Sequence, residues 1–99
     1  MVGVTLTRGS ATRVEALAAF AAEGCSAPRF WSNGPGDVYG AHEHGQRKVL
    51  FCLTGSIVFE TDDGDVAMRA GDRLDVPAGA RHAASVGANG CECVEAWAP

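Results

Sequence analysis

The residues of this chain best suited to chemistry are its three histidines, His42, His44 and His82. His42 and His44 stand two positions apart in the segment GAHEHGQRK. In a β-strand such residues project from one face about 7 Å apart, so their imidazoles can converge on one ion. His82 would then supply the third ligand from another strand. Three neutral imidazoles suit a divalent transition metal and leave positions open for substrate, with its identity undecided among Fe, Zn, Ni, Mn and Cu.

The alternative for these histidines is that they line a pocket merely as polar side chains satisfied by water. A single histidine would favour that interpretation. Three histidines, two of them at alternate positions, favour a metal site.

Lys48 follows the histidine pair and complicates the site. An ammonium about 5 Å from a divalent ion, at an effective dielectric constant near 20, would be repelled by on the order of 6 kcal/mol. Four arrangements remain open: Lys48 turns to solvent or to a carboxylate, it is neutral, an anionic ligand bridges it to the metal, or an anion alone occupies a vestigial site. The first and third are favoured because each balances the charge. Lys48 is therefore the candidate catalytic residue, paired with a carboxylate or enolate of the substrate.

Two carboxylates near the end of the chain could serve as a substitute ligand. Glu92 and Glu95 lie on the predicted last strand with opposite parity, so one of them can face inward. The sequence does not decide between them.

The cysteines favour packing over chemistry. Cys91 and Cys93 are one residue apart, which is not a zinc-ribbon spacing, and no export signal precedes the four cysteines of the chain. Alternation along a strand would place Cys52 on the same face as Lys48, deeper in a pocket. We expect these thiols to pack as small apolar groups.

One helix is predicted before the histidines, in the segment GSATRVEALAAFAAEG. Thr12 and Glu15 form a capping-box pair, and Gly24 is placed to end the helix. The helical period predicts a buried face formed by Val14, Leu17, Ala18 and Ala21.

From Cys25 onward, short apolar runs alternate with clusters of Gly, Pro, Asn and Asp, which is typical of an antiparallel β-sandwich or barrel. Strands are predicted near residues 28–32, 38–43, 47–53, 56–61, 65–69, 73–76, 81–86 and 91–97.

Size and charge limit the remaining possibilities. The 99 residues predict one domain, with an N-terminal strand and helix in 1–27 and a β-barrel in 28–99. The formal net charge is −4 and the basic residues are scattered, so we expect a small-molecule ligand and no nucleic-acid partner.

No signal peptide or membrane-length apolar stretch is recognisable, so the predicted location is the cytoplasm, away from membranes. Exposed sheet edges and aromatic residues predict a homodimer.

Two sequence motifs make the chain resemble the cupin family. Gly36, His42, His44 and Gly55 match the first cupin motif, G(x)5HxH(x)3E(x)6G, with Lys48 in place of the glutamate.

The second cupin motif, G(x)5PxGxxH(x)3N, matches Gly71, Pro77, Gly79 and His82, with Val86 in place of the asparagine. The resemblance implies an all-β fold, the double-stranded β-helix or jelly-roll barrel, with a site in its mouth.

Family precedent further implies that His42, His44 and His82 bind a divalent metal and that Lys48 replaces the usual fourth ligand. Similar three-histidine iron sites occur in cupin-like dioxygenases that act on thiols and diketones. The expected function is therefore a small metal-binding cupin, with a metal-dependent dioxygenase or related enzyme as the enzymatic hypothesis. A non-enzymatic ligand-binding or sensor module, or a scaffold with a relic pocket, are the alternatives, because this fold hosts many functions.

Overall fold

The structure, a computed structural model, describes residues 3–99 and contains one helix and seven strands within that range. In chain order they are β1 (Thr5–Thr7), α1 (Arg13–Ala22), β2 (Arg29–Asn33), β3 (Val38–His42), β4 (Lys48–Thr61), β5 (Gly64–Arg69), β6 (Arg73–Val76) and β7 (His82–Trp97). All strand pairs are antiparallel, in the order β1-β6-β4-β7-β2, with β3 added to β7 and β5 to β4. The helix of the described range has ten residues and could not cross a bilayer.

Two long strands, β4 and β7, form the frame of the barrel. The first half of β4 pairs with β6 and with the second half of β7, and its second half pairs with β5 and with the first half of β7. The chain thereby closes into the predicted jelly-roll barrel. The sequence predicted four strands at these positions, but each pair is joined in one bent strand because the pairing is interrupted only by local register shifts.

The bend of the barrel depends on a contact between two glycines. Gly55 has φ +71° and Gly90 has φ +72°, a region that favours glycine. A Cβ atom on Gly55 would lie 1.9 Å from the carbonyl oxygen of Gly90. No side chain fits between β4 and β7 at this point.

The barrel has an inner and an outer apolar cluster. The inner cluster fills the barrel and contains three buried cysteines that form no disulfide, which confirms the packing expected for them. Its buried members are Leu50, Cys52, Ile57, Phe59, Met68, Leu74, Val76, Ala84, Val86, Cys91 and Cys93. The outer cluster joins the helix to the sheet and consists of Ala16, Phe20, Val49, Phe51, Val94, Ala96 and Ala98.

The helix begins at the predicted capping box, in which Thr12 and Glu15 exchange hydrogen bonds. Its predicted buried face was wrong. The buried residues are Ala16 and Phe20, whereas Val14 is 75% exposed. Apolar residues occur on all sides of this helix, so their periodicity does not define a single buried face. The buried face is instead the one that carries the largest side chain, Phe20. Its ring packs edge-on against that of Phe51 at a centroid distance of 5.5 Å.

Candidate metal centre

The three histidines reach one place by different routes. His42 is the last residue of β3 and His82 the first of β7, and the two are direct cross-strand partners. His44 lies beyond the end of β3, so the predicted strand 38–43 is shorter than expected and strand alternation does not place this ring. A loop does so instead: the backbone N–H of Gly79 donates to the carbonyl oxygen of His44 at 2.8 Å. The second motif thus helps to position a ligand of the first.

The three imidazole rings converge as the sequence predicted. Ring centroids are 4.4 Å apart for His42 and His82, 4.9 Å for His42 and His44, and 5.3 Å for His44 and His82. One ring nitrogen from each residue lies within 4.8 Å of those of the other two. Small rotations of the side chains would bring all three within the coordination distance of one ion.

Hydrogen bonds to backbone carbonyls fix the tautomers of two of the rings. Nδ1 of His42 lies 2.7 Å from the carbonyl oxygen of Gly40, and Nδ1 of His82 lies 2.8 Å from that of Ala80. Because a carbonyl oxygen can only accept, each Nδ1 carries the proton and each Nε2 presents a lone pair. Metal-ligating histidines are held in this way.

The Nε2 atom of His82 is the least satisfied polar atom of the site. It is buried and has no hydrogen-bond partner in residues 3–99. A buried polar atom without a partner costs free energy, and a metal ion would remove that cost by accepting the lone pair. The donor set therefore fits a divalent metal.

The surroundings of His44 and His82 favour the neutral form of these two imidazoles. Burial lowers the pKa of His82, an effect that the hydrogen bond to Ala80 partly offsets. Burial likewise lowers the pKa of His44, and the Lys48 ammonium lowers it further. Both rings are therefore in the form that binds metal at neutral pH.

Lys48 turns to a carboxylate, which is one of the arrangements left open by the sequence. Its side chain is 10% exposed, and Nζ lies 3.4 Å from Oε1 of Glu95 and 3.4 Å from Nε2 of His44. The same Oε1 atom accepts a hydrogen bond of 2.8 Å from Nε1 of Trp31. Trp31, Glu95, Lys48 and His44 thus form a continuous polar chain beside the histidine cluster.

The choice between the two carboxylates is made by strand register. Glu95 is the partner of Leu50 on β4, so its side chain points into the barrel. Glu92 has the parity of Val94 and Ala96, which belong to the outer cluster. Glu95 is therefore the inward-facing acid.

A cavity of about 200 Å³ opens beside this chain. His42, His82, Lys48 and Glu95 form its polar wall. Three aromatic side chains, Trp31, Tyr39 and Phe59, form much of the remainder, and Ile57, Ala84 and Arg29 complete the lining.

Sequence reasoning missed the two β2 residues at this cavity, Arg29 and Trp31. Their alternation in the segment RFWSN shows that they share a face, which was the available signal. Which face it is depends on the register with β7, where Arg29 is opposite Glu95 and Trp31 is opposite Cys93. That long-range pairing is not encoded within the segment.

Comparisons with known proteins agree with the observed fold. The sequence profile described as the cupin domain matches residues 29–95. No curated protein matches the chain at a significant level.

Among solved structures, a protein of Neisseria meningitidis is 29% identical, with a TM-score of 0.61, over 73% of this chain and 72% of that one. A cupin domain from Bordetella pertussis is 25% identical, with a TM-score of 0.59, over 73% and 79% of the two chains. A cupin superfamily protein from Desulfitobacterium hafniense is 22% identical, with a TM-score of 0.66. The match covers 72% of this chain and 64% of the Desulfitobacterium protein, so this chain spans just under two thirds of that relative.

Proposed function

The chain belongs to the cupin domain family, and on that premise we propose that it binds a divalent transition metal between His42, His44 and His82 and acts on a small ligand held in the barrel cavity. The proposed activity is that of a metal-dependent dioxygenase or a related enzyme. The metal is one of Fe, Zn, Ni, Mn and Cu.

The observation that carries this proposal is the Nε2 atom of His82, buried without a partner and facing two other imidazoles. A histidine that only filled space would pair this atom or expose it to water. The backbone carbonyls that hold His42 and His82 in the Nδ1–H tautomer support the same conclusion.

The bound metal would supply Lewis-acid or dioxygen chemistry at its open coordination positions. The chain supplies the rest. Trp31, Tyr39 and Phe59 line the cavity with ring surface, and Lys48 presents an ammonium at its wall, where it can orient an oxygen-bearing or anionic group. Glu95 holds Lys48 in that position through the contact of 3.4 Å.

Metal analysis of protein produced without a histidine tag tests the binding step. The wild type should contain about one metal ion per chain. His82→Ala should weaken metal binding by more than about a hundredfold, since losing an outer-shell partner of a ligand already costs roughly 10–100-fold. Ser85→Ala is the matched control, because Ser85 lies on the same strand, opposite Val38 and Val58, and is not part of the histidine cluster. Wild-type protein that binds no more metal than His82→Ala would overturn the proposal.

Dioxygen consumption by the Fe(II)-loaded protein tests the enzymatic step. Thiols, diketones and small phenolic acids should be offered, with His82→Ala as the background. Uptake above that background for one substrate class supports an enzyme. Uptake no greater than that of His82→Ala for every class would contradict the dioxygenase assignment.

A second candidate function is non-enzymatic binding of a small ligand, as in a sensor module. The contact between Nζ of Lys48 and Nε2 of His44 favours it, since this cation lies where it opposes a metal and attracts an anion. Retention of a small organic ligand by protein that binds no metal would favour this function over the first.

A further inference from the structure

From the placement of Arg29 we infer that the ligand of the cavity is a small carboxylate with an apolar body, with the Arg29 guanidinium as the anchor of its carboxylate group. This inference rests on the proposed function, since it names the ligand class of the same site. It depends on four features of the cavity: the position of Arg29, its lack of a partner, the balance of charge and the aromatic lining.

The register of β2 places Arg29 on the cavity side. Arg29 and Trp31 alternate with Phe30 along β2, and they pair across the sheet with Glu95 and Cys93 of β7. Both partners face the barrel interior, so Arg29 and Trp31 lie on that side of β2 and line the cavity, with Trp31 partly buried and Arg29 still exposed to solvent. Phe30 faces outward, where the Arg13 guanidinium lies 4.2 Å from its ring centroid.

The Arg29 guanidinium has no partner in the part of the chain that the structure describes. The ion pairs of residues 3–99 use Arg8, Arg47, Lys48 and Arg73, and Arg29 makes neither an ion pair nor a side-chain hydrogen bond there. A guanidinium offers a planar set of N–H donors that matches a carboxylate in two-point contact. The donors of Arg29 are thus available to a ligand.

The charges of the cavity wall leave a positive excess. Lys48 and Glu95 offset each other at 3.4 Å, which leaves the charge of Arg29 uncompensated. A divalent metal at the histidines would add to that excess. A cavity with a net positive charge favours an anionic ligand over a neutral one.

The cavity is small and offers aromatic surface to such an anion. Its volume of about 200 Å³ corresponds to roughly seven water molecules at ~30 Å³ each. The rings of Trp31 and Tyr39 meet edge to face at a centroid distance of 5.8 Å. Their polar atoms are already committed, that of Trp31 to Glu95 and that of Tyr39 to Asn33, so these residues offer ring surface to the ligand.

Calorimetric titration with benzoate and benzamide tests the inference. The two probes have the same size and planarity and differ in charge. They should be titrated into Zn(II)-loaded and metal-free protein, because Zn(II) has no redox chemistry. The variant is Arg29→Gln, and the matched control is Arg13→Gln. Arg13 is the first residue of α1 and lies against Phe30, so the control removes a charge of the same sign from the other side of β2. In the wild type, benzoate should bind at least about tenfold more tightly than benzamide, which corresponds to about 1.4 kcal/mol.

Arg29→Gln should lose most of that preference, with benzamide affinity unchanged, and Arg13→Gln should retain it. Equal binding of the two probes, binding of neither, or a preference that survives in Arg29→Gln would overturn the inference. A preference owed to the metal alone would survive in Arg29→Gln and vanish without Zn(II).

The zinc content of each sample separates this result from the proposed function. Protein that binds zinc through its histidines without discriminating the probes retains the metal function and loses the carboxylate anchor. Protein that binds no zinc but discriminates through Arg29 retains the anchor and loses the metal function.

Discussion

Lys48 stands where cupins have a glutamate ligand, and its ammonium is held between an acid and an imidazole. Glu95 Oε1 and His44 Nε2 are each 3.4 Å from Nζ, and neither Lys48 nor Glu95 is more than 11% exposed at the side chain. The acid beside the site is Glu95 of β7, which is not among the residues that converge on the possible metal position. The Lys48 ammonium contacts both this acid and His44.

Removal of this cation should destabilise the metal-free protein. Lys48→Met keeps the apolar stem but leaves the Glu95 carboxylate buried, with the Trp31 N–H as its remaining donor. Loss of one partner from a buried pair costs roughly 3 kcal/mol in the free energy of unfolding. Urea denaturation in the presence of a chelator measures the effect.

The double variant provides the control for this prediction. Lys48→Met with Glu95→Gln should recover most of the loss, since no unpaired charge remains. If the two single changes add without recovery, the charges are not coupled.

The three histidines and Lys48 could be predicted from the sequence, Glu95 only as one of two candidate acids, and Trp31 not at all. His42, His44 and His82 are marked by their spacing within two short motifs. Spacing between residues close in the chain can be read directly from the sequence. Glu95 and Trp31 reach the site only through the pairing of β2 and β4 with β7. Such pairing depends on contacts between distant segments, which no local pattern encodes.

Among the elements, the two long strands carry the site because each bends at a glycine. Lys48 and His82 begin β4 and β7, and the bend near Gly55 and Gly90 brings different parts of these strands into one barrel. The sequence divided each of these strands in two, whereas Gly55 and Gly90 lie within β4 and β7. Glycine signals a change of direction, and the continuity of a bent strand depends on backbone pairing across it.

Gly55→Ala should therefore be among the most damaging single-methyl changes in this protein. The added Cβ would lie 1.9 Å from the Gly90 carbonyl oxygen, and the backbone would be strained at φ +71°. A loss of more than about 2 kcal/mol in the free energy of unfolding is expected, or failure to fold.

Gly36→Ala isolates the backbone contribution, because Gly36 has φ +77°, close to that of Gly55, and no atom lies within 4 Å of its added Cβ. It should cost clearly less than Gly55→Ala in thermal denaturation. Equal losses of stability in the two variants would mean that Gly55→Ala is damaging through backbone strain at positive φ, and not through contact of the added Cβ with β7.

The start of β6 is tied to the N-terminal segment by Asp72, a residue only 1% exposed. Burial alone would raise its pKa, but the backbone N–H groups of Arg69 and Gly9 and the Arg8 guanidinium donate to its carboxylate and outweigh burial. The pKa of Asp72 therefore lies below its ordinary value of 3.8.

This shift predicts a pH dependence of stability. An acid whose pKa is lowered by folding stabilises the native state above its ordinary pKa, and that contribution is lost as pH falls through the lowered value. Asp72→Asn should be less stable than the wild type at neutral pH, and the difference should shrink below about pH 4. Urea denaturation of both proteins between neutral and acidic pH measures it. A difference that does not change with pH would mean that Asp72 acts through hydrogen bonding alone.

For the molecule as a whole, the predicted homodimer stays a prediction. Several apolar side chains are exposed around β2, β3 and the helix, among them Val14 at 75%, Val38 at 73% and Phe30 at 41%. Exposed apolar side chains beside the edge of a sheet are a common basis for association. Sedimentation equilibrium should give twice the mass of the chain if the expectation is correct, and the mass of one chain would contradict it.

Metal binding and the stability of the barrel should be linked, because β3 and β7 each contribute a ligand and the loop after β3 contributes the third. The three imidazoles meet only in the folded chain, so a metal that binds there stabilises the native state by mass action. At a free metal concentration about 100 times the dissociation constant, this amounts to about 2.7 kcal/mol. For a domain of this size the melting temperature should rise by roughly 10–20 °C.

His42→Ala separates this linkage from non-specific effects of metal ions. Its half-buried ring bonds only the Gly40 carbonyl within the described residues, so its removal should change the metal-free melting temperature little. The rise caused by metal should disappear in the variant, and a chelator should abolish it in the wild type. An equal rise in melting temperature in both proteins would mean that the metal binds at other groups. The three histidines would then serve only as polar side chains that line the cavity.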